Sequence, residues 1–237
     1  MFSRQRPILR VGIDEAPPVP MQMGRPETGD FRGYEVSLLL MLGSTLGFEI
    51  QYHRALWSVI IQELAAGRID LVCSAATVTD ARRREVDFCT PHLDIALAVV
   101  KRHGLPRHLQ LNNLRVGVRS GTTAEAYLRE RGEASPAKLS ESNDELYSAL
   151  AEGKLDAVID DSPIARHFSR TAADLVYVGV LPGTEGAYAI MVRQGNDELR
   201  THINNALDQK EADGTLTDLR AQWFHEGGVA SLTGNRW

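Results

Sequence analysis

The chain contains 237 residues, of which 43% are hydrophobic and 24% are charged, a composition typical of globular proteins. This length is enough for one large domain or for two lobes that each have a core of their own. The formal net charge is -5 and no basic face is evident, which argues against nucleic acid as a partner. No apolar run approaches the length that a membrane-spanning helix needs.

The first predicted strand, over residues 8–14, ends at an acid and is followed by a proline-rich loop. Ligands of open α/β sheets bind beyond the carboxyl ends of the strands, so Asp14 is a candidate binding residue. Apolar periodicity predicts one helix over residues 33–46, ended by Gly47, and another over residues 57–66. Thr79 is the candidate N-cap of a short helix that follows.

A ten-residue pattern occurs twice, as LAAGRIDLVC at 64–73 and as LAEGKLDAVI at 150–159. Each copy predicts the last turn of a helix, a glycine that ends it, an aspartate and a buried strand. Two copies are too few for a solenoid, so the pattern favours two related α/β lobes with a cleft between them, where small molecules bind. The alternative is coincidence, because these residues are common between a helix and a strand.

Three clusters of polar residues stand where predicted strands end and helices begin, at 74–82, 119–123 and 160–163. The first supplies hydroxyl groups, backbone amides and Arg82, whose guanidinium can grip a carboxylate through two parallel hydrogen bonds. The second is a turn whose amides favour anions. The acids of the third could take an ammonium group or cap the next helix. Together the clusters indicate a site for an α-amino acid.

The strand predicted over residues 187–192 is expected to pair near residues 95–100, so that the chain leaves one lobe, builds the other and returns. Two crossing segments would form a hinge that allows closure around a ligand. The alternative is two independent domains with a single linker. We therefore predict lobe 1 from residues 1–98 and 188–237, including two C-terminal helices, and lobe 2 from residues 99–187.

The remaining reactive residues do not form a recognisable catalytic or metal-binding pattern. Cys73 and Cys89 lie in predicted buried strands, where a free thiol behaves as a small hydrophobic group. The seven histidines are scattered, and neither zinc-ligand spacing nor a phosphate-binding loop is present. We therefore predict no catalytic residue, no metal and no cofactor.

The stretch from Trp57 to Pro91, which ends in ATVTDARRREVDFCTP at 76–91, is the strongest of several motifs that occur in a familiar order. Together with Gly12–Asp14, Gly33–Val36, Gly121–Thr123 and Asp156–Asp161, it resembles the periplasmic amino-acid-binding proteins of ABC transporters. The resemblance extends over roughly residues 8–224. It implies the α/β type II periplasmic-binding fold, in which two Rossmann-like lobes joined by a two-strand hinge close like a Venus flytrap.

The resemblance also implies roles for individual residues. Arg82 would bind the ligand carboxylate, helped by the Thr77 hydroxyl and nearby backbone amides, and Asp161 would bind the ammonium group. Trp57 would stack on the ligand, with Asp14 and Arg119 at its side chain. The predicted ligand-binding residues are Asp14, Trp57, Ser74, Ala75, Thr77, Arg82, Arg119, Thr122, Thr123 and Asp161.

Asp14 and Arg119 together would satisfy an amide, one accepting and one donating, which favours glutamine or a similar polar ligand. The alternative is that these two residues pair with each other and that shape determines selectivity. His92 replaces a frequent tyrosine of the family and is expected to be a core or hinge residue rather than a ligand contact.

The predicted function is therefore capture of a free polar amino acid, without catalysis, for delivery to an ABC transporter permease. A monomer in the periplasm or outside the cell is expected, although residues 1–7 lack the pattern of a signal peptide. Two alternatives remain: a ligand-sensing module of a membrane receptor, and an enzyme similar to cyclohexadienyl dehydratase. The enzyme would need a general acid, for which Asp14, His92, Asp160 and Asp161 are candidates.

Overall fold

The computed structural model describes residues 6–105, 111–131 and 138–224, which form two compact α/β units. Unit 1 contains the described residues up to Leu93 and from Ala187 onward, and unit 2 contains those of Asp94–Gly186. The predicted assignment of residues 225–237 to lobe 1 lies outside the described part of the chain. Within that part, no helix combines the length and the apolar character needed to span a bilayer.

Strands and helices alternate along much of the chain. The strands are β1 (Ile8–Asp14), β2 (Glu49–Ala55), β3 (Leu71–Val72), β4 (Val86–Phe88), β5 (Leu93–Ile95), β6 (Leu97–Arg102), β7 (Val116–Arg119), β8 (Lys138–Ser140), β9 (Ala157–Asp161), β10 (Leu175–Val180), β11 (Gly186–Tyr188) and β12 (Met191–Arg193). The helices are α1 (Tyr34–Leu46), α2 (Trp57–Ala65), α3 (Asp80–Arg83), α4 (Thr123–Arg131), α5 (Asn143–Ala151), α6 (Ser162–Thr171), α7 (Asp197–Ala212) and α8 (Thr215–Phe224). Short 3-10 helices occur at Pro26–Thr28 and Leu111–Asn113.

Unit 1 is built on a five-stranded sheet in the order β2-β1-β3-β12-β4. The first three strands are parallel, and β12 runs antiparallel to both of its neighbours. Successive side chains of a strand point to opposite faces, so Leu71 and Val72 enter different core clusters. One cluster packs under α1, α7 and α8, and the other packs under α2.

Unit 2 has a second five-stranded sheet, in the order β10-β6-β9-β7-β8. Here β7 is parallel to β8 and β9, while β6 is antiparallel to β9 and β10. The strand β6 is almost entirely apolar, and its side chains pack on both faces of the sheet. Ala98 and Val100 pack with α5 and α6, whereas Leu97 and Val99 pack with α4. Each unit therefore has its own core, and the predicted fold class is confirmed.

The chain passes between the units twice, at β5 and β11, and these two strands pair with each other. The predicted pairing of residues 187–192 with residues 95–100 is correct only there. The strand β6 instead pairs with β9 and β10, and β12 pairs with β3 and β4. The sequence could not show this division, because the break at Ala96 falls inside a continuous apolar run.

The repeated sequence forms the same local structure in both units. In unit 1, α2 ends before Gly67, which has a φ of +70°, and the chain then enters β3. Asp70 accepts hydrogen bonds from Nε of Arg10 at 3.1 Å and from Nη2 at 2.7 Å. The same Nη2 donates to the carbonyl of Gly67 at 2.9 Å, so the arginine joins β1 to both ends of the turn.

Unit 2 contains the same arrangement, which we call the Arg–Asp–Gly clamp. Arg115, directly before β7, donates to Asp156 from Nε at 3.0 Å and from Nη2 at 2.8 Å. Its Nη2 also donates to the carbonyl of Gly153 at 2.8 Å, and Gly153 has a φ of +73°. The sequence repeat is therefore matched by a structural repeat, which supports the interpretation as two related lobes.

Candidate functional site

Three predicted site residues of unit 1, Trp57, Thr77 and Arg82, lie close together. Thr79 caps α3 as predicted, because its hydroxyl oxygen accepts the Arg82 amide N–H at 3.2 Å. The half-buried Arg82 donates from Nη1 to the carbonyl of Thr77 at 2.8 Å. Its guanidinium carbon lies 4.8 Å from the centre of a Trp57 ring, within the range of a cation–π contact. The guanidinium is therefore held in one orientation.

Ser74 connects the loop after β3 to the end of β1. Its hydroxyl accepts the backbone N–H of Asp14 at 3.1 Å and lies 3.4 Å from Oε1 of Gln22. Asp14 is itself buried, and one carboxylate oxygen accepts the N–H of Ala16 at 3.0 Å. Two predicted ligand-binding residues, Asp14 and Ser74, are thus fixed at neighbouring strand ends.

Ala75 has the left-handed backbone conformation, with a φ of +50°. Its N–H donates to both carboxylate oxygens of Glu35, each at 2.9 Å. Sequence reasoning expected backbone amides near Ala75 to assist in carboxylate binding, but this amide is already bonded within unit 1. The group that Ala75 can offer to a ligand is its carbonyl oxygen.

Glu35 and Gln22 are supporting residues that sequence reasoning missed. Both side chains are fully buried, and Nε2 of Gln22 reaches Glu35 at 3.4 Å and the carbonyl of Cys73. Burial raises the pKa of Glu35 to about 7. One available signal was an acid beside the long apolar stretch of α1; Gln22 lies in a proline-rich loop without a pattern.

In unit 2, Arg119 ends β7 and begins the turn that leads into α4. Its Nε donates to the carbonyl of Glu141 at 2.9 Å, and its own carbonyl accepts the Thr122 hydroxyl at 2.6 Å. The N–H of Gly121 donates to the Glu125 carboxylate at 2.7 Å. The anionic group at the Gly121 amide is thus the Glu125 carboxylate of the chain itself. Binding of a ligand anion by this turn stays a prediction. Thr123 is the first residue of α4.

Asp160 and Asp161 end β9 directly before α6. Asp161 stands at the N-cap position, but its side chain makes no capping hydrogen bond to α6, so the capping alternative is not what the structure shows. One oxygen of Asp160 accepts the Asp161 N–H at 2.8 Å. Burial, reinforced by the charge of Asp161, raises the pKa of Asp160 to about 8. Asp160 therefore keeps its proton at neutral pH.

Comparison with known proteins places these features in context. The sequence model of the bacterial extracellular solute-binding proteins, family 3, matches residues 9–226. The L-cystine-binding protein TcyJ of Escherichia coli (strain K12) is 26% identical over 226 residues, which are 93% of this chain and 84% of that protein.

Two solved structures show the same architecture. An ancestral arginine-binding protein bound to glutamine is 29% identical, with a TM-score of 0.84 over 94% of this chain and 100% of that one. The ancestral amino acid-binding protein AncCDT-1, a precursor of cyclohexadienyl dehydratase, is also 29% identical, with a TM-score of 0.83 over 92% and 95% of the two chains.

Proposed function

This chain belongs to the bacterial extracellular solute-binding proteins of family 3, and from this premise we propose that it binds a free amino acid for an ABC transporter. In this proposal the ligand is not altered chemically, and a membrane permease receives it. The protein acts as a monomer in the periplasm or outside the cell. Support comes from the names of similar proteins, which refer to L-cystine, arginine and glutamine.

The arrangement of Arg82 is the observation on which the proposal depends. The Arg82 guanidinium is fixed by its hydrogen bond to the Thr77 carbonyl and by its contact with the Trp57 ring. Arginine fixed in this way presents planar paired donors, the geometry that a carboxylate accepts best. We assign the ligand carboxylate to Arg82 and to the hydroxyl of Thr77.

The ammonium group of the ligand needs acceptors of hydrogen bonds. We assign it to the Asp161 carboxylate and to the carbonyl oxygen of Ala75, whose amide is occupied by Glu35. Thr122 and Thr123 complete the set of polar contacts to the ligand.

For the ligand side chain we propose glutamine or a similar amide. An acid and a guanidinium, Asp14 and Arg119, would accept from the amide nitrogen and donate to the amide oxygen, respectively. A lysine or arginine ligand would instead bring a second positive charge toward Arg119. The amide is therefore favoured over the cationic ligands of several relatives.

The test is calorimetric titration of ligand-stripped protein with each of the twenty amino acids. We expect one amide-bearing amino acid to bind with a micromolar Kd, which corresponds to about 8 kcal/mol. Arg82→Ala removes the counter-charge of the carboxylate, and we expect the Kd to rise roughly 30-fold to several thousand-fold.

The neighbouring residue provides a matched control. Arg83 is exposed and its guanidinium lies 5.6 Å from the ring of Phe88, so Arg83→Ala removes an arginine of the same helix without touching Trp57 or Thr77. Its Kd should stay within a few-fold of the original. Unchanged affinity in Arg82→Ala, with the fold intact by circular dichroism, would contradict the assigned site.

The protonated Asp160 gives specific support to a second candidate, a dehydratase. A buried carboxylic acid that keeps its proton at neutral pH can act as a general acid. The similarity to AncCDT-1 is consistent with this candidate. Incubation with arogenate and prephenate, followed by product analysis, distinguishes the two: a released aromatic product identifies the enzyme, and intact compounds favour the binding protein.

A further inference from the structure

Three buried side chains next to the candidate site form a group whose shared chemistry the proposed function does not use. Glu35 comes from α1, Cys73 follows β3 and His92 precedes β5, and we call them the Glu35–Cys73–His92 cluster. Their exposed fractions are 0%, 1% and 1%, respectively. A carboxylate oxygen, the sulfur and a ring nitrogen all lie within 4.8 Å of one another, and within the described ranges no other group of this kind occurs.

The imidazole of His92 is the feature that needs an explanation. Considering only the part of the chain that the structure describes, neither ring nitrogen has a hydrogen-bond partner. Nε2 lies 3.6 Å from Oε1 of Glu35, beyond the range of a hydrogen bond. Buried polar atoms nearly always have a partner, so two orphaned nitrogens on one ring indicate that a partner is missing.

We propose that the Glu35–Cys73–His92 cluster binds a zinc ion that stabilises unit 1. Sulfur, imidazole nitrogen and carboxylate oxygen are the three donor types that zinc takes in proteins, whereas calcium and magnesium prefer oxygen alone. The ion would give one of the two ring nitrogens of His92 a partner, because a neutral imidazole supplies one lone pair to a metal.

The geometry is close to what the ion requires. Tetrahedral zinc holds its donors roughly 3.3–3.8 Å apart, given bonds of about 2.0–2.3 Å. The pair formed by Glu35 and His92 has this spacing at 3.6 Å, and a side-chain shift of about 1 Å would bring the widest pair of the cluster into range. The three side chains supply three of the four tetrahedral donors and leave the fourth position for a donor from outside the protein.

Charge balance also favours a divalent cation. Binding displaces the thiol proton of Cys73 and the proton that Glu35 carries in part at neutral pH, and both pass to the solvent, so thiolate and carboxylate together neutralise the charge of the ion. Glu35 has two oxygens, and one of them can hold the Ala75 N–H while the other binds zinc. The ion would thus lie beneath the loop that carries Ser74 and Ala75.

This site differs from the sequence prediction of no metal. Glu35, Cys73 and His92 are separated by long stretches of chain, and none of the spacings resembles a known zinc motif. The donors come together only in the folded unit, where α1 packs against the residue that follows β3 and the residue that precedes β5. The inference does not depend on which ligand, if any, the candidate site binds.

The experiment measures metal content and stability of the full chain. The protein is unfolded in denaturant with a chelator, refolded with or without zinc, desalted, and analysed by mass spectrometry for metal. We expect one zinc per chain and a higher Tm in the zinc sample. Refolding with cobalt should give the charge-transfer band of a cobalt–thiolate bond.

Three substitutions distinguish this site from accidental binding. Cys73→Ser should lose the charge-transfer band and most of the bound zinc, while Cys89→Ser should retain both. Cys89 is a suitable control because it is a second buried thiol of the same core cluster. His92→Gln should reduce the zinc content in the same way as Cys73→Ser.

The outcomes that overturn the inference are equally definite. They are a wild-type protein that refolds without tight zinc, a cobalt complex that lacks the thiolate band, or a band that Cys89→Ser abolishes. If Cys73→Ser fails to fold, the wild-type and Cys89→Ser spectra still decide. Amino-acid titration of the zinc-free protein reports on the proposed function separately.

Discussion

Asp156 and Asp160 lie close together in the chain, but their carboxyl groups have opposite environments. The guanidinium of Arg115, in the clamp of unit 2, lowers the pKa of Asp156 by hydrogen bonding. Burial next to Asp161 raises the pKa of Asp160 to about 8, and neither the Arg119 charge nor the Tyr147 hydroxyl compensates. One acid therefore stabilises the fold when ionised, and the other does so when protonated.

These environments predict opposite dependences of stability on pH. Unfolded aspartate has a pKa of about 4, so between about pH 5 and pH 8 unfolding releases the proton of Asp160 and becomes easier as pH rises. In Asp160→Asn this loss disappears. In urea titrations, the free energy of unfolding of the variant minus that of the wild type should increase by up to about 1.4 kcal/mol for each unit by which pH rises.

Asp156→Asn is the control for that series. Ionised Asp156 contributes its full stabilisation above the pKa of unfolded aspartate. The difference in free energy of unfolding between Asp156→Asn and the wild type should therefore be constant between about pH 5 and pH 8. A constant difference for Asp160→Asn as well would show that Asp160 is ionised in the folded protein.

Sequence reasoning succeeds for residues whose role depends on a local motif. The Thr79 cap of α3 was predictable from the sequence of its own segment, whereas the bond from Arg82 to the Thr77 carbonyl was not. Glu35 and Gln22 could not be assigned, since their roles arise from burial beside a loop that is distant in the chain. Burial of a polar side chain is a property of packing, which a single sequence does not reveal.

At the scale of elements, the start of α1 depends on a single glycine. Gly33 has a φ of +146°, and a Cβ added there would lie 2.1 Å from the carbonyl oxygen of Met21. That oxygen accepts the N–H of Glu35, so the approach of the two segments also places the Glu35 side chain. The glycine is required both by its conformation and by the space around it.

We expect Gly33→Ala to destabilise the protein by at least about 3 kcal/mol, because conformational strain and a backbone clash act together. Gly47→Ala at the other end of α1 is the comparison. Its φ is +75° with open space around the added Cβ, so only strain of about 1–2 kcal/mol is expected. Urea denaturation measures both, and equal effects would show that Met21 moves aside.

The helices were more predictable than the strand pairing. The two predicted C-terminal helices form, at Asp197–Ala212 and Thr215–Phe224. Their apolar period and turn residues are local signals. The pairing of β12 between β3 and β4 joins residues far apart in the chain, and no local pattern encodes it.

At the scale of the whole molecule, the two units differ in how the chain builds them. Among the residues that the structure describes, those of unit 2 all lie within Asp94–Gly186, and two core clusters cover the faces of its sheet. Unit 1 requires both of its segments, since β12 supplies the strand between β3 and β4. Unit 2 should therefore fold independently, whereas the first segment of unit 1, up to Leu93, should not.

We expect a fragment of residues 94–186 to fold alone, with dispersed amide resonances and cooperative unfolding in urea. A fragment of residues 1–93, which has the same length, should lack both properties, because β3 and β4 lose their shared neighbour β12. Disordered spectra from the first fragment, or cooperative unfolding of the second, would contradict this division of the chain.

The Arg–Asp–Gly clamp gives the molecule two copies of one chemical arrangement in two separate cores. Asp70→Asn and Asp156→Asn remove the same carboxylate from the same kind of arginine and the same kind of turn. The chemistry lost is matched, so a difference between the two effects measures the surroundings alone. The two aspartate substitutions, one in each unit, therefore compare the local stability of the two units within a single protein.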